Sequence, residues 1–192
     1  MRRVNPVDFG ADQDNYFIHL ARYMFCARQI KKTDIVFELG CGTGYGARLL
    51  SDFAQKVYAT DISDLSEVWN EYGKSNLLFL KDMNPPEKVD VVVSYEVVEH
   101  IGSDLLEAYF TRIKNTLKQN GVVFMSTPRA IPFEERSENR QKEHAHEYAP
   151  DEFKALLEKH FSNVFLFAQN DSVIGSQNIN MAWNLVAICV KG

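Results

Sequence analysis

Val36-Phe37-Glu38-Leu39-Gly40-Cys41-Gly42-Thr43-Gly44-Tyr45-Gly46 is the stretch that decides the fold. Its opening apolar run reads as a buried strand, which ends in an acid followed by glycine at every second position. An apolar helical segment, Ala47 to Phe53, follows at once. Glycines at a strand-to-helix turn permit positive φ and let a ligand approach the backbone closely. The helix start behind them offers N–H groups with no intrahelical acceptor. The stretch therefore predicts a nucleotide-type cofactor site at the carboxyl edge of an α/β sheet.

Two cofactor classes use such a turn. The dinucleotide fingerprint G-x-G-x-x-G, begun at Gly40 and Gly42, requires glycine where Tyr45 stands, which argues against a nicotinamide-dependent dehydrogenase. Glu38 would repel a pyrophosphate, whereas it suits a ligand carrying an ammonium and a sulfonium. Glu38, Gly40, Gly42 and Gly44 match the pattern E/D-x-G-x-G-x-G. Here the chain resembles the class I S-adenosylmethionine (SAM)-dependent methyltransferases, in the branch that acts on small molecules and glycans. The resemblance implies SAM as cofactor and S-adenosylhomocysteine as product. It also implies that the loop, Cys41 included, lies under the methionine part of SAM.

Bulk properties agree with one domain over residues 1–192, large enough for a substantial core. No apolar run approaches the ~20 residues of a membrane span. Met1-Arg2-Arg3-Val4-Asn5-Pro6 begins with charge but lacks the apolar region of a signal peptide. Cys26, Cys41 and Cys189 are widely spaced, which predicts a reducing, cytoplasmic setting with neither disulfide nor zinc. A formal net charge of −5 argues against a nucleic-acid partner.

Along the chain, residues 12–31 carry Tyr16, Phe17, Leu20, Tyr23, Met24, Ala27 and Ile30 near helical spacing, and residues 1–32 read as a helical cap. Strands follow at Ile35–Leu39, Val57–Thr60, Leu77–Leu80, Val89–Tyr95 and Val122–Thr127. Helices are read at Asp104–Leu117 and from Pro150 to His160, and two further strands at Val164–Phe167 and Trp183–Val190. The alternation predicts an α/β fold with helices on both faces of a mostly parallel sheet. The last two strands lack a crossover helix and must be antiparallel. Seven strands with an antiparallel C-terminal strand is the methyltransferase variant of the Rossmann-like fold. Arg129–Ala149 and Gln169–Ala182 read as polar loops over the carboxyl edge, the first as a substrate lid.

The candidate site residues follow from strand tips and from the resemblance. Asp61 ends the second strand 21 positions after Gly40, where an acid accepts from ribose hydroxyls. The resemblance places Ile62 beside the adenine, Asp82 on its amine and Met83 next to it. Asn84-Pro85-Pro86 imitates an amine-methylating motif, but it follows the third strand and lacks the aromatic fourth residue, so it reads as a loop. Ser94-Tyr95-Glu96-Val97-Val98-Glu99-His100-Ile101 resembles the family's segment at the fourth strand tip. That likeness puts Ser94 and Glu96 at the methionine end of SAM and makes His100 a candidate base. In His19-Leu20-Ala21-Arg22-Tyr23 the resemblance pairs Arg22 with the SAM carboxylate, which suits a guanidinium fork. His144-Ala145-His146-Glu147-Tyr148-Ala149-Pro150 resembles a segment that closes over the substrate mouth, with His144 or His146 as a base and no metal expected.

The expected function is SAM-dependent methyl transfer to a small-molecule or sugar acceptor, with oxygen favoured over nitrogen. A SAM-binding regulator or catalytically silent partner subunit is the alternative outside catalysis. A protein or RNA methyltransferase with a basic patch at Arg136, Arg140 and Lys142 is the alternative within it. The absence of an added substrate domain points to a small acceptor, or to a pocket completed by a second copy or a partner subunit.

Overall fold

The computed structural model describes residues 13–63, 65–82 and 84–192. Chain order is α1 (Gln13–Ala27), β1 (Ile35–Leu39), α2 (Tyr45–Leu50), β2 (Lys56–Thr60), α3 (Ser66–Trp69), β3 (Leu77–Phe79), β4 (Val89–Tyr95), α4 (Leu106–Thr116), β5 (Leu117–Pro128), α5 (Glu138–Glu143), α6 (Pro150–Glu158), β6 (Asn163–Asn170), β7 (Val173–Gly175) and β8 (Asn184–Val190). The strands form one sheet in the order β3-β2-β1-β4-β5-β8-β6-β7. β1 to β5 pair in parallel, whereas β8 runs antiparallel to both β5 and β6. This is a Rossmann-like sheet whose strand order switches between β1 and β4.

Period-two alternation sorts the strand residues between two cores. Ile35, Phe37 and Leu39 of β1 join Phe110, Ile113, Phe153 and Leu157 from α4 and α6. Val36 joins Tyr23, Cys26, Ala47 and Leu50 from α1 and α2 on the opposite face. Val89, Val91, Val92 and Val93 fill β4, as a strand covered on both sides requires. α1 is keyed to the body through Tyr23 under α2 and through a Phe25–Phe167 ring contact with β6.

The sheet differs from the seven-strand expectation by one strand. β7 is a three-residue partner of β6, too short and too polar in its surroundings to be read from sequence. β5 begins at Leu117, five residues before the expected Val122, and Asn120 turns at φ 60° within its irregular opening. The short helix α5 occupies part of the segment 129–149, which reads as a loop in the sequence. Among the described residues no helix is long and apolar enough to cross a membrane.

Candidate active site

The parallel strands of one sheet share a carboxyl edge, so the tips of β1, β2 and β4 meet there. The glycine loop leaves β1 with Gly40, Gly42 and Gly44 at φ of 83°, 54° and 83°. It is tied to β2, because the Gly40 and Cys41 amides both donate to the Thr60 carbonyl at 2.9 Å. Asp61 completes the tie, accepting from the Gly42 and Ser63 amides at 2.9 Å each. The Trp69 indole N–H donates to the Gly42 carbonyl at 3.0 Å, and its ring stacks on Phe79 at 4.7 Å. A Cβ at Gly40 would meet Val97 at 2.4 Å and one at Gly44 would meet Phe79 at 2.7 Å. Among the described residues, a Cβ at Gly42 would meet nothing within 4 Å. Gly42 is thus the point where the loop turns its backbone to open space.

Below the loop lies buried charge. Glu38 is 1% exposed, and the Tyr23 hydroxyl donates to its Oε1 at 2.5 Å, while its Oε2 has no hydrogen-bond partner among the described residues. Burial, with the nearby Asp61 charge, pushes the Glu38 carboxyl up to about 8, against the Tyr23 and Ala47 hydrogen bonds. Arg22 is likewise 1% exposed. Its Nη1 donates to Gln169 Oε1 at 3.1 Å and lies 3.4 Å from Glu96 Oε1, but Nε and Nη2 have no partner among the described residues. Ser126 donates to Glu96 Oε1 at 2.8 Å. Burial opposes ionisation of Glu96, but the Arg22 and His19 charges and the Ser126 bond outweigh it and hold the carboxyl below its ordinary range. Glu96 also stands at φ 56°, a left-handed conformation rare for a residue with a side chain, at the tip of β4.

A second cluster stands at the mouth. Glu99 is 1% exposed, and among the described residues neither carboxyl oxygen is hydrogen-bonded. The Thr127 hydroxyl faces it without reaching hydrogen-bond geometry. Burial and the Glu96 charge raise the Glu99 carboxyl well above the usual carboxylate range. His100 and His144 meet edge to face at 4.9 Å between ring centroids. Glu99, His100 and His144 each bring one ligand-type atom within 4.8 Å of the others, where the sequence suggests no metal. Behind His144, Glu147 accepts from its Nδ1 at 2.8 Å and binds Arg140 through Nε and Nη2 at 2.8 and 2.9 Å. Arg136 Nε reaches the same carboxylate at 3.2 Å. Burial holds the His144 imidazole below its ordinary value despite the Glu147 bond.

At the carboxyl edge the structure brings Gly40, Cys41 and Gly42 together with Asp61, Arg22 together with Glu96, and His100 together with His144. It does not bring all of the expected residues. The Ser94 hydroxyl contacts the Leu39 carbonyl at 3.2 Å and Tyr109 at 2.8 Å, fully buried toward α4. Alternation along β4 gives that inward orientation, on the side of α4. His146 turns away to Glu152 at 2.7 Å. Ile62 is 86% exposed, Asp82 is exposed beyond β3, and Met83 lies outside the described residues. Of the expected basic patch, Arg136 and Arg140 point at Glu147, and Lys142 lies beside Glu138. Asn84-Pro85-Pro86 lines a cleft of about 630 Å³ with α4, at the amino end of β4 and away from the crevice. Sequence reasoning assigns no role to Tyr23 or Gln169. Gln169 carries no local signal, since its partners Arg22 and Ile18 lie about 150 positions earlier.

A methyltransferase-domain family model matches residues 9–160. The chain is 32% identical over 155 residues to the probable S-adenosylmethionine-dependent methyltransferase Rv3030 of Mycobacterium tuberculosis, covering 76% of this chain and 55% of that one. It is 27% identical over 138 residues to the ubiquinone biosynthesis O-methyltransferase of Bradyrhizobium diazoefficiens, covering 66% and 52%. The chain therefore spans about half the length of these curated relatives. Among solved structures, the DhpI–SAH complex shares the fold with a TM-score of 0.70 at 21% identity, over 97% of this chain and 91% of that one.

Proposed function

The chain belongs to the methyltransferase-domain family, and from that premise we propose that it transfers a methyl group from SAM to a hydroxyl of a small-molecule or sugar acceptor. The observation that carries the reading is the pairing of opposite unpartnered charges in the crevice. Among the described residues, two buried N–H-bearing nitrogens of Arg22 lack acceptors, and one buried oxygen of Glu38 lacks a donor. The carboxylate and ammonium of an amino acid are the complement of that pair. Gly42 supplies the open backbone beside them. These residues fit the methionine portion of SAM. Asp61 fits the ribose hydroxyls, because a carboxylate that accepts two amides can accept further donors.

When bound, SAM supplies a methyl group on a cationic sulfur. The chain's own contribution is to hold the donor and to place an acceptor against it, which alone accounts for large accelerations. The segment 129–149 overhangs the crevice as a lid, held by the Glu147 cluster and by a parallel bridge from Arg129 to Tyr148. A hydroxyl acceptor gains from a nearby proton acceptor. Glu99, His100 and His144 stand at the mouth for that role. The O-methyltransferase among the relatives favours oxygen over nitrogen.

Calorimetric titration with SAM, S-adenosylhomocysteine and NAD in parallel tests the cofactor. Micromolar binding of both adenosyl ligands without NAD is expected, and their failure to bind overturns the reading. A screen of sugars and small phenols for S-adenosylhomocysteine release then tests the acceptor, and turnover on amines alone rejects the oxygen assignment.

A further inference from the structure

We propose that Glu99, His100 and His144 bind a divalent transition-metal ion at the mouth of the crevice. Two independent observations point there. The first is convergence: a carboxyl and two imidazoles, from the β4 tip and from a segment 44 positions later, present ligand atoms within 4.8 Å of one another. Bonds of about 2.0–2.2 Å to one ion span that separation after a small rotation of the rings. The second is the state of Glu99. A carboxyl that is 1% exposed and hydrogen-bonded through neither oxygen among the described residues lacks the partner that buried polar groups ordinarily have.

The partners of the two histidines fix which nitrogen is available. His100 Nδ1 lies 2.9 Å from the Glu143 carbonyl, and a carbonyl only accepts. His144 Nδ1 lies 2.8 Å from Glu147 Oε1, a carboxylate held ionised by Arg140 and Arg136. Each neutral ring therefore carries its proton on Nδ1 and keeps the Nε2 lone pair available. A backbone carbonyl and a carboxylate behind two imidazoles form the supporting shell that orients metal-ligating histidines. Glu147 thus positions His144, and the Arg140–Glu147 pair ties the lid to the ion.

Two imidazoles and one carboxylate suit zinc, cobalt, nickel or iron(II), and suit magnesium or calcium poorly. Three protein ligands leave coordination positions open, as in catalytic rather than structural sites. An acceptor oxygen bound there is oriented by the ion and gives up its proton more readily. That role rests on the methyl-transfer reading; the binding of the ion does not.

The test uses the whole chain, freed of metal by chelation, with Zn²⁺, Co²⁺ and Mg²⁺ titrated by calorimetry and the visible spectrum of the Co²⁺ form recorded. One Zn²⁺ or Co²⁺ per chain is expected, with Mg²⁺ at least about tenfold weaker. Glu99→Gln and His144→Gln each weaken Co²⁺ binding by about tenfold or more and alter its spectrum. His146→Gln leaves both unchanged. Should Glu99→Gln not fold, His100→Gln takes its place, with the same expected loss of Co²⁺ binding. Absence of stoichiometric binding, or binding indifferent to all three ligand substitutions, overturns the proposal. SAM titration of the same metal-free sample reports separately on the cofactor reading.

Discussion

The two sides of the crevice are made of different material. Beside β1 and β2 the chain presents main chain: three glycines at positive φ, amides tied to Thr60 and Asp61, and open space over Gly42. Beside β4, β5 and β6 it presents buried ionisable side chains: Arg22, Glu96 and Glu99, with His144 and Glu147 beyond them. A main-chain cradle needs only local conformation, so it tolerates most neighbours and few substitutions within itself. A charge cluster needs partners for each member, because an unpaired buried charge is costly. The first side should therefore fail when its shape changes, and the second when a partner is removed.

Gly42→Arg tests the first side most severely. The left-handed φ costs roughly 1–2 kcal/mol for a residue with a Cβ, but among the described residues the Cβ itself meets nothing within 4 Å. The variant should fold and lose SAM affinity by about a hundredfold, or roughly 2.8 kcal/mol, in calorimetry. Undiminished binding would mean that this backbone is not the cofactor cradle. Gly46→Ala is the contrasting change, since its Cβ falls 2.1 Å from the Tyr23 ring and should lower the melting temperature instead.

Glu147→Gln tests the second side. It removes the charge shared by Arg136, Arg140 and His144 at a side chain with no exposed surface. Losing one partner of such a cluster costs about 2–3 kcal/mol by analogy with buried pairs, discounted for the partial exposure of both arginines. Urea denaturation should show that loss while SAM affinity stays within about twofold, because the partners of Glu147 are Arg136, Arg140 and His144 of its own segment and not residues of the glycine loop. A fall in SAM affinity without a fall in stability would merge the two sides.

Arg22→Met sits where the sides join. It keeps the aliphatic stem and removes the guanidinium, so packing against the β6 end survives in part. SAM and S-adenosylhomocysteine affinities should drop together by about tenfold, since both carry the same carboxylate and a charged hydrogen bond contributes about 1.5–3 kcal/mol. Unequal losses would place Arg22 near the sulfonium and not the carboxylate.

The same contrast explains what can be read from the sequence. The glycine loop lies within eleven consecutive residues, and turn chemistry alone identifies it. The strands around it are legible because β1 and β4 are continuous apolar runs. The charge cluster is legible only in its members and not in its pairing. Resemblance places Arg22, but its dependence on Gln169 spans 147 positions and leaves no local trace. His144 and His146 look equivalent in sequence, yet Glu147 takes one and Glu152 the other. The strand-tip motif names Ser94 but not its contact with Tyr109, which follows from the alternation along β4.

Glu38 gives the smallest effect and the finest distinction, because it belongs to both sides: it is a buried charge inside the main-chain cradle. Its carboxyl is pushed up to about 8 by burial. A carboxyl raised above its unfolded value binds its proton more tightly in the folded chain. Its contribution to stability is therefore complete below about 4.5 and is lost as pH rises through about 8. A cationic ligand reverses the preference, since an ammonium beside Glu38 favours the ionised form. SAM affinity should then rise several-fold between about pH 6 and pH 7, below the titration of the ligand's α-ammonium, with at most one proton released on binding near pH 7. Calorimetry in buffers of different ionisation enthalpy measures that proton directly. Glu38→Gln should abolish the release and flatten the profile. A proton still released by Glu38→Gln would assign the titration to another group and leave Glu38 as a structural partner of Tyr23 alone.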